Sequence, residues 1–540
     1  MTRTLTFSII FLLICPILVL LSYLFYDAEV SWLTSATFHR YILNTLILAG
    51  SVGLVTAILG TISAMCVTFF DFRGRSFFQF ILLLPLAFPA YITAFTYGYI
   101  FEFAGPVQTF LRECFHWNHF PNIRSLGGAI IVMSLAFYPY VYMLMRANFV
   151  ALGDMINTAR LMGKSTRNIL LGVILPISRP ALVSGVLLVI MEVIADFGTP
   201  QFFSVDTFTT GIYRTWFLLN DYPSAARLAC IILAFVLSLI FMERHSRRNN
   251  SYSGLINDKG HVHRWELTKT SHKIFVYSFC VIVPLMGFAL PTIQLLCWSI
   301  EVNHLLDMSI LYFIGNSVLI AGISSAIIVT LAIFLAYCLR RRTSSERFIR
   351  IANMGYAIPS SVIAVGIIIF LGGVSKYISV ISYQYFGINV NIMLIGTTFA
   401  LLYAYTIRFL SVSMGAMESG FNKIPREFDW VSSMLGHNNY KTCISVHIPM
   451  LIKSITVAFL LTFIDVVKEL SATLIVRPFN FETVATRTYD LIMDERYREA
   501  SFPALVLVMI GMFSILVMTR FLQGKNLSAQ HNYVKDCTVE

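Results

Sequence analysis

Apolar runs of about 20 residues, the length a helix needs to cross a hydrocarbon core, recur along almost the whole 540-residue chain. Within lipid the backbone must satisfy its own hydrogen bonds, and long unbroken apolar runs, unlike alternating ones, meet that demand as helices. With 57% of residues hydrophobic and 12% charged, a soluble protein of this size is excluded. The expected fold is an all-α integral membrane protein, with about 12 transmembrane helices in two parallel six-helix repeats. The spans are expected from 5–26 through 502–522, among them 77–101 and 348–372 as third and ninth, and 180–199 and 453–475 as fifth and eleventh. Domain boundaries follow: 1–243 as the first half, 244–273 as a basic cytoplasmic linker and 274–540 as the second half.

The formal charge of +11 does not point to nucleic acid. More than half of the 39 lysines and arginines fall in the tails, the linker and the loops after spans 2, 4, 8 and 10. Basic residues accumulate on the cytoplasmic side of membrane proteins, so both termini and those loops are expected there, with lipid around the spans and no nucleic-acid partner. The N-terminal apolar run, longer than a secretory signal and without a cleavage site, is expected to be retained as the first span. The nine cysteines show no CxxC or paired spacing and suggest neither a disulfide framework nor a zinc site.

One loop is written twice. Asn157 to Pro180 (NTARLMGKSTRNILLGVILPISRP) and Trp430 to Lys453 (WVSSMLGHNNYKTCISVHIPMLIK) superpose at an offset of 273 residues, pairing Gly163 with Gly436 and Pro176 with Pro449. Each copy reads as a short amphipathic helix, a glycine and an aliphatic-x-aliphatic-proline step before an apolar run. Re-entry into the bilayer explains a proline at a helix start but not identical spacing in both halves. An amphipathic helix that lays its apolar face in a partner's groove does. The repeat extends outward: Asn44-Thr45 answers Asn316-Ser317, Phe88-Pro89 answers Ile358-Pro359, and Arg214 answers Arg487. Self-similarity on this scale marks a duplicated module, two halves the same way up enclosing a path.

The spacing Gly-x9-[IV]-x-[LI]-Pro resembles the EAA loop of permeases of ATP-binding-cassette (ABC) importers. The resemblance implies that a cytoplasmic ATPase, in two copies, docks on these loops, through Asn157, Thr158, Ala159 and Gly163 in one and Trp430, Val431, Ser432 and Gly436 in the other. ATP would be used by that partner, with no cofactor bound by this chain and no enzymatic activity of its own. The family's glutamate is absent at Asn157 and Trp430, and Asp429 lies one position early. A further stretch, Glu192-Val-Ile-Ala-Asp196-Phe-Gly-Thr-Pro200 with its continuation to Ala229, is similar to duplicated ferric iron permeases of bacterial binding-protein systems. That implies a periplasmic binding protein as a partner and the bacterial inner membrane as the location. Related duplicated permeases carry thiamine or aminophosphonates.

Two acidic pairs sit at intramembrane positions. Glu192 and Asp196, and again Asp465 and Glu469 beside Lys468, are spaced i, i+4, which places each pair on one helical face. Ionisable groups at such depth face a cavity or one another. They either offer a hard cation transient oxygen ligands or pair with Lys468, Arg214 and Arg487 in a structural network. Whether a metal binds them is left open. Gly163-Lys164-Ser165 and Gly436-x4-Lys441-Thr442 do not complete a phosphate loop, and no metal site is expected among the histidines at 245, 261, 263 and 272. The competing class is a gradient-driven secondary transporter of 12 spans, for which Asp71-Phe-Arg-Gly-Arg75 is the nearest motif; a membrane scaffold is a third reading.

Overall fold

The computed structural model describes residues 2–23, 36–116, 120–163, 165–248, 264–267, 269–302, 308–341, 346–387 and 393–536. Its principal helices are α1 (Thr2–Ser22), α2 (Ala36–Phe69), α3 (Ala90–Ile100), α4 (Leu126–Ala151), α5 (Gly153–Leu161), α6 (Arg179–Ala195), α7 (Tyr222–Arg248), α8 (Thr270–Glu301), α9 (Met308–Arg340), α10 (Ser360–Phe386), α11 (Thr398–Asn422), α12 (Glu427–Met434), α13 (Ile448–Lys468), α14 (Val484–Met493) and α15 (Tyr497–Asp536). Among the described residues ten helices are long and apolar enough to cross a membrane, or twelve if two bent pairs each count as one span. The expected all-α membrane architecture stands. Histidines 261 and 263 and most of the central linker lie outside the described residues.

The helices group into two compact units. One contains α2 to α8 with residues 488–508; the other contains α1, α9 to α13 and the rest of α15. The first helix of each sequence half therefore joins helices of the opposite half. α1 packs on α10 where Gly366 leaves room: a Cβ there would stand 3.0 Å from the carbonyl oxygen of Pro16. The Tyr403 hydroxyl donates to the Leu12 carbonyl. In the other unit Tyr97 of α3 donates to the Met286 carbonyl of α8 at 2.5 Å, and Phe88 meets Phe288 edge-on at 5.5 Å. Small residues set the closest helix approach. A Cβ on Gly60 of α2 would lie 2.8 Å from the backbone nitrogen of Tyr142 in α4, the close packing that replaces the hydrophobic effect inside a membrane.

Prolines govern the bends. The third span is not the straight rod expected over 77–101: Arg75–Ala87 and Ala90–Ile100 meet at 91°, because Pro89 takes an extended conformation (φ −60°, ψ 137°) as the N-cap of α3. Pro359 caps α10 in the same way. Pro176 and Pro449 do not start helices as bare re-entry points. Each follows a π-helical turn, Leu170–Ile174 and Cys443–His447, and Pro291 follows another at Leu285–Ala289. A proline has no N–H to donate and crowds the carbonyl four residues back; a π turn relaxes both demands without ending the rod. The second copy runs on from Asn439 to Lys468, whereas the first bends by 62° at Ser178. The difference has a local cause, since Pro180 adds a second proline where the other copy has Lys453.

The repeated Asn44-Thr45 and Asn316-Ser317 pairs acquire a reason. Asn44 Nδ2 donates to the Asp206 carbonyl at 3.0 Å and Thr45 accepts from the Phe208 amide at 3.2 Å. Asn316 Nδ2 donates to the Glu482 carbonyl at 3.1 Å and Ser317 accepts from the Val484 amide at 2.8 Å. Each pair pins the segment following a short span to a neighbouring long helix. Asn316→Ala leaves a carbonyl without that donor and is expected to cost about 1–3 kcal/mol, read as a lowered melting temperature in detergent.

Candidate docking loops and intramembrane carboxylates

Both repeated loops fold as helix, left-handed glycine, short helix. α5 ends at Gly163 (φ +74°) and α12 at Gly436 (φ +76°). Open space surrounds both glycines, so the requirement is conformational: other residues rarely adopt this region. The chain then restarts on a side-chain cap, Ser165 accepting from the Asn168 amide and Asn438 from the Lys441 amide. Of the signature positions, Ala159 and Ser432 are buried, and Ser432 Oγ lies 2.8 Å from Thr442 Oγ1, tying α12 to the helix that follows. Asn157 is half-buried, whereas Thr158, Trp430 and Val431 are exposed.

The turn just before each glycine is where the loops most resemble one another. Leu161 and Met162 are 90% and 73% exposed, and their counterparts Met434 and Leu435 are 88% and 70% exposed. Two aliphatic side chains at the tip of a hairpin, twice at the same offset, form an apolar contact surface that is left exposed among the described residues. The resemblance puts the contact on the three-residue signature and the glycine; the exposed pair lies between them, at the two positions directly before each glycine.

The carboxylates are arranged differently from expectation. α6 stops at Ala195 and α13 at Lys468, so neither Glu192 with Asp196 nor Asp465 with Glu469 shares a continuous helical face. The acids end the helices themselves. Asp196 is an extended C-cap whose Oδ1 accepts the Gly198 amide at 3.0 Å. Glu469 is likewise extended, and its Oε1 accepts the Ala472 amide at 3.1 Å. A short polar side chain that bonds its own downstream amide competes with helix continuation. Threonine hydroxyls complete the parallel, Thr209 donating to the Asp196 carbonyl at 3.0 Å and Thr473 to the Glu469 carbonyl at 2.7 Å. Glu192, Asp465 and Lys468 lie on the last turns of these helices, half-buried.

The two acids differ in their company. Glu469 Oε2 stands 3.5 Å from Nε of Arg408, both side chains buried, and Arg408 also donates to the Ile358 carbonyl at 2.7 Å. Counted from the helix N-caps Ser125 and Thr397, the position answering Arg408 in the first half is Ala136. Asp196 instead lies close enough to the phenols of Tyr91 and Tyr489 to act on them electrostatically. Arg214 pairs with Asp206 at 3.7 Å, and Arg487 sits over the Phe313 ring at 5.7 Å. Arg408 was readable beforehand as an arginine inside an apolar helix, a pattern functional or paired by default.

Within the unit that carries Asp196, a cavity of about 760 Å³ is lined by Tyr213, Tyr489, Asp206, Asp490, Asp494 and Arg214, among others. Phe197 contacts both tyrosine rings, with centroids 4.4 Å and 5.8 Å away, so Asp196 adjoins the residue that backs this wall. The cavity offers carboxylate and phenol oxygens, the donors suited to hard cations. Among the described residues no three His, Cys, Asp or Glu side chains are clustered tightly enough to hold a metal ion.

This geometry, a duplicated hairpin with a fixed glycine and a proline-bearing re-entry, coincides with the chain's matches to known proteins. The family described as "Binding-protein-dependent transport system inner membrane component" matches residues 56–251 and, a second time, residues 328–525. The chain belongs to that family. This permease is thus a multi-pass transport component, and each match contains one complete hairpin. It is 25% identical over 490 residues to the Fe(3+)-transport system permease protein FbpB 2 of Haemophilus influenzae, covering 88% of this chain and 89% of that one. It is 22% identical over 543 residues to the ferric transport system permease protein FbpB of Actinobacillus pleuropneumoniae, covering 94% and 76%. The sulfate transport system permease protein CysT of Escherichia coli is 25% identical over 255 residues, 44% of this chain and 90% of its own.

Proposed function

We propose that the permease is the membrane subunit of an ATP-driven importer for ferric iron. The observation that carries the ABC reading is the exposed aliphatic pair at the tip of each hairpin, Leu161-Met162 and Met434-Leu435. In this reading two ATPase subunits dock there from the cytoplasm, and the chain binds no nucleotide or other cofactor itself. Both termini are cytoplasmic, and a periplasmic binding protein delivers the ion at the opposite face. ATP-driven closure of the partners moves the hairpins, and the spans shift between inward- and outward-open states because each state is favoured by different contacts. Support for the cargo comes from the ferric relatives and from the carboxylate and phenol oxygens at Asp196, Tyr489 and the adjoining cavity. In this reading these oxygens hand on a partly dehydrated cation rather than storing it.

The test is uptake of radiolabelled ferric iron by cells that express the permease with its ATPase and binding protein. Asp196→Asn is expected to abolish uptake while the protein stays at parental abundance in the membrane. Parental uptake by that variant would remove Asp196 from the path, and uptake independent of the permease would remove iron as the cargo.

A further inference from the structure

The two docking hairpins are built alike at their tips but anchored differently at their roots. In the second, Asp429 of α12 faces inward. Its Oδ2 accepts from Arg340 Nη2 at 2.6 Å and Nε at 2.8 Å, and its Oδ1 lies 2.9 Å from His447 Nε2. Arg340, the last residue of α9, also donates to the carbonyls of Phe421, Ile424 and Pro425 at 2.7–3.0 Å. His447 is fully buried in the π turn that leads into α13, against the rings of Tyr337 and Phe421. A single guanidinium and a single carboxylate thus join the ends of α9 and α11, the docking helix and the root of the following span.

At the matching positions the first half has Ile156 for Asp429 and Ile174 for His447, at the loop's offset of 273, and Thr68 for Arg340, in the register of the Asn44–Asn316 pair. All three are buried. None carries a charge. Charge-assisted, bidentate hydrogen bonds fix distance and angle, and separating a buried ion pair strands both charges. Apolar contact is non-directional and survives small sliding. We propose that the second docking helix is a rigid lever locked to its membrane helices through Asp429, whereas the first, whose Arg160 lies over the Trp265 ring at 5.4 Å but which has no ion pair at the matching positions, yields further as the partner moves. Asp429 is then a positioning residue for energy transfer, turned inward one position before the place where the EAA loop carries its glutamate. This assignment rests on the importer reading given above.

The test has two arms on the intact transporter with its ATPase. In hydrogen exchange of the wild type, the backbone amides of residues 427–434 are expected to exchange at least tenfold more slowly than those of 153–161. Equal rates overturn the proposal. In the second arm Asp429→Asn, and separately the combined Arg340→Thr, Asp429→Ile and His447→Ile that installs the first half's own residues, are compared with wild type. Each is expected to retain the ATPase on purification yet to hydrolyse at least tenfold more ATP per ion imported. A wild-type ratio in the combined variant shows that the cluster only holds the fold and overturns the proposal, and the exchange arm decides if neither variant reaches the membrane. Loss of the ATPase from the wild type itself would instead refute the importer reading, leaving the exchange difference to be judged separately.

Discussion

Replacing Leu161, Met162, Met434 and Leu435 together with glutamate is expected to abolish co-purification of the ATPase and reduce import to background. A Leu or Met side chain that becomes fully buried contributes about 1.5–3 kcal/mol, so losing even one pair weakens a complex by about a hundredfold or more. The four side chains are exposed within this chain, and exposed substitutions ordinarily shift stability by less than about 0.5 kcal/mol. Melting temperature and membrane abundance should therefore stay at the parental value. Retention of the ATPase by the quadruple variant would mean that docking uses another surface. Variants of a single hairpin refine the result: similar losses from either one indicate that two partner subunits bind together.

Arg408→Leu is expected to be the most destabilising single change in the second half. It leaves Glu469 buried without its counter-charge and the Ile358 carbonyl without its donor, and breaking a buried pair from one side costs about 3–5 kcal/mol. The measurement is thermal unfolding in detergent, where most of the purified variant should be aggregated or unfolded at temperatures the parent tolerates. Arg408→Leu with Glu469→Leu should recover much of that loss, since two apolar groups strand no charge. If the single change melts like the parent, the pair is solvated and contributes little. The corresponding change in the first half, Ala136→Leu, probes packing alone because no cation stands there.

The sequence made the membrane class, the duplication and the hairpins legible because each depends on local pattern: apolar run length, a fixed offset, a glycine that must be left-handed. It was less informative wherever a side chain chooses between continuing a helix and capping it. Asp196 and Glu469 fit an i, i+4 pattern with Glu192 and Asp465, yet their bonds to the Gly198 and Ala472 amides end the helices, and periodicity carries no trace of that competition. Pairing was equally hidden. Arg408 and Glu469 are 61 positions apart, and Arg340 reaches Asp429 across 89, separations no local spacing reports. Asp429 was visible only as an acid out of register with a known motif, and its inward orientation gives that displacement a physical meaning.

The exchange of α1 and α8 between the compact units has a consequence for how such a chain can be divided. A break within the linker, at the natural seam of the sequence repeat, gives an amino-terminal fragment that holds α1 without α10, on which it packs, and a carboxy-terminal fragment that holds α8 and residues 488–508 without α2 to α7. Neither piece contains a complete folding unit, so the fragments can mature only by complementation. Covalent fusion of the two halves therefore does more than fix their ratio at one to one: it supplies each unit with its missing helix at the high effective concentration of a tethered segment.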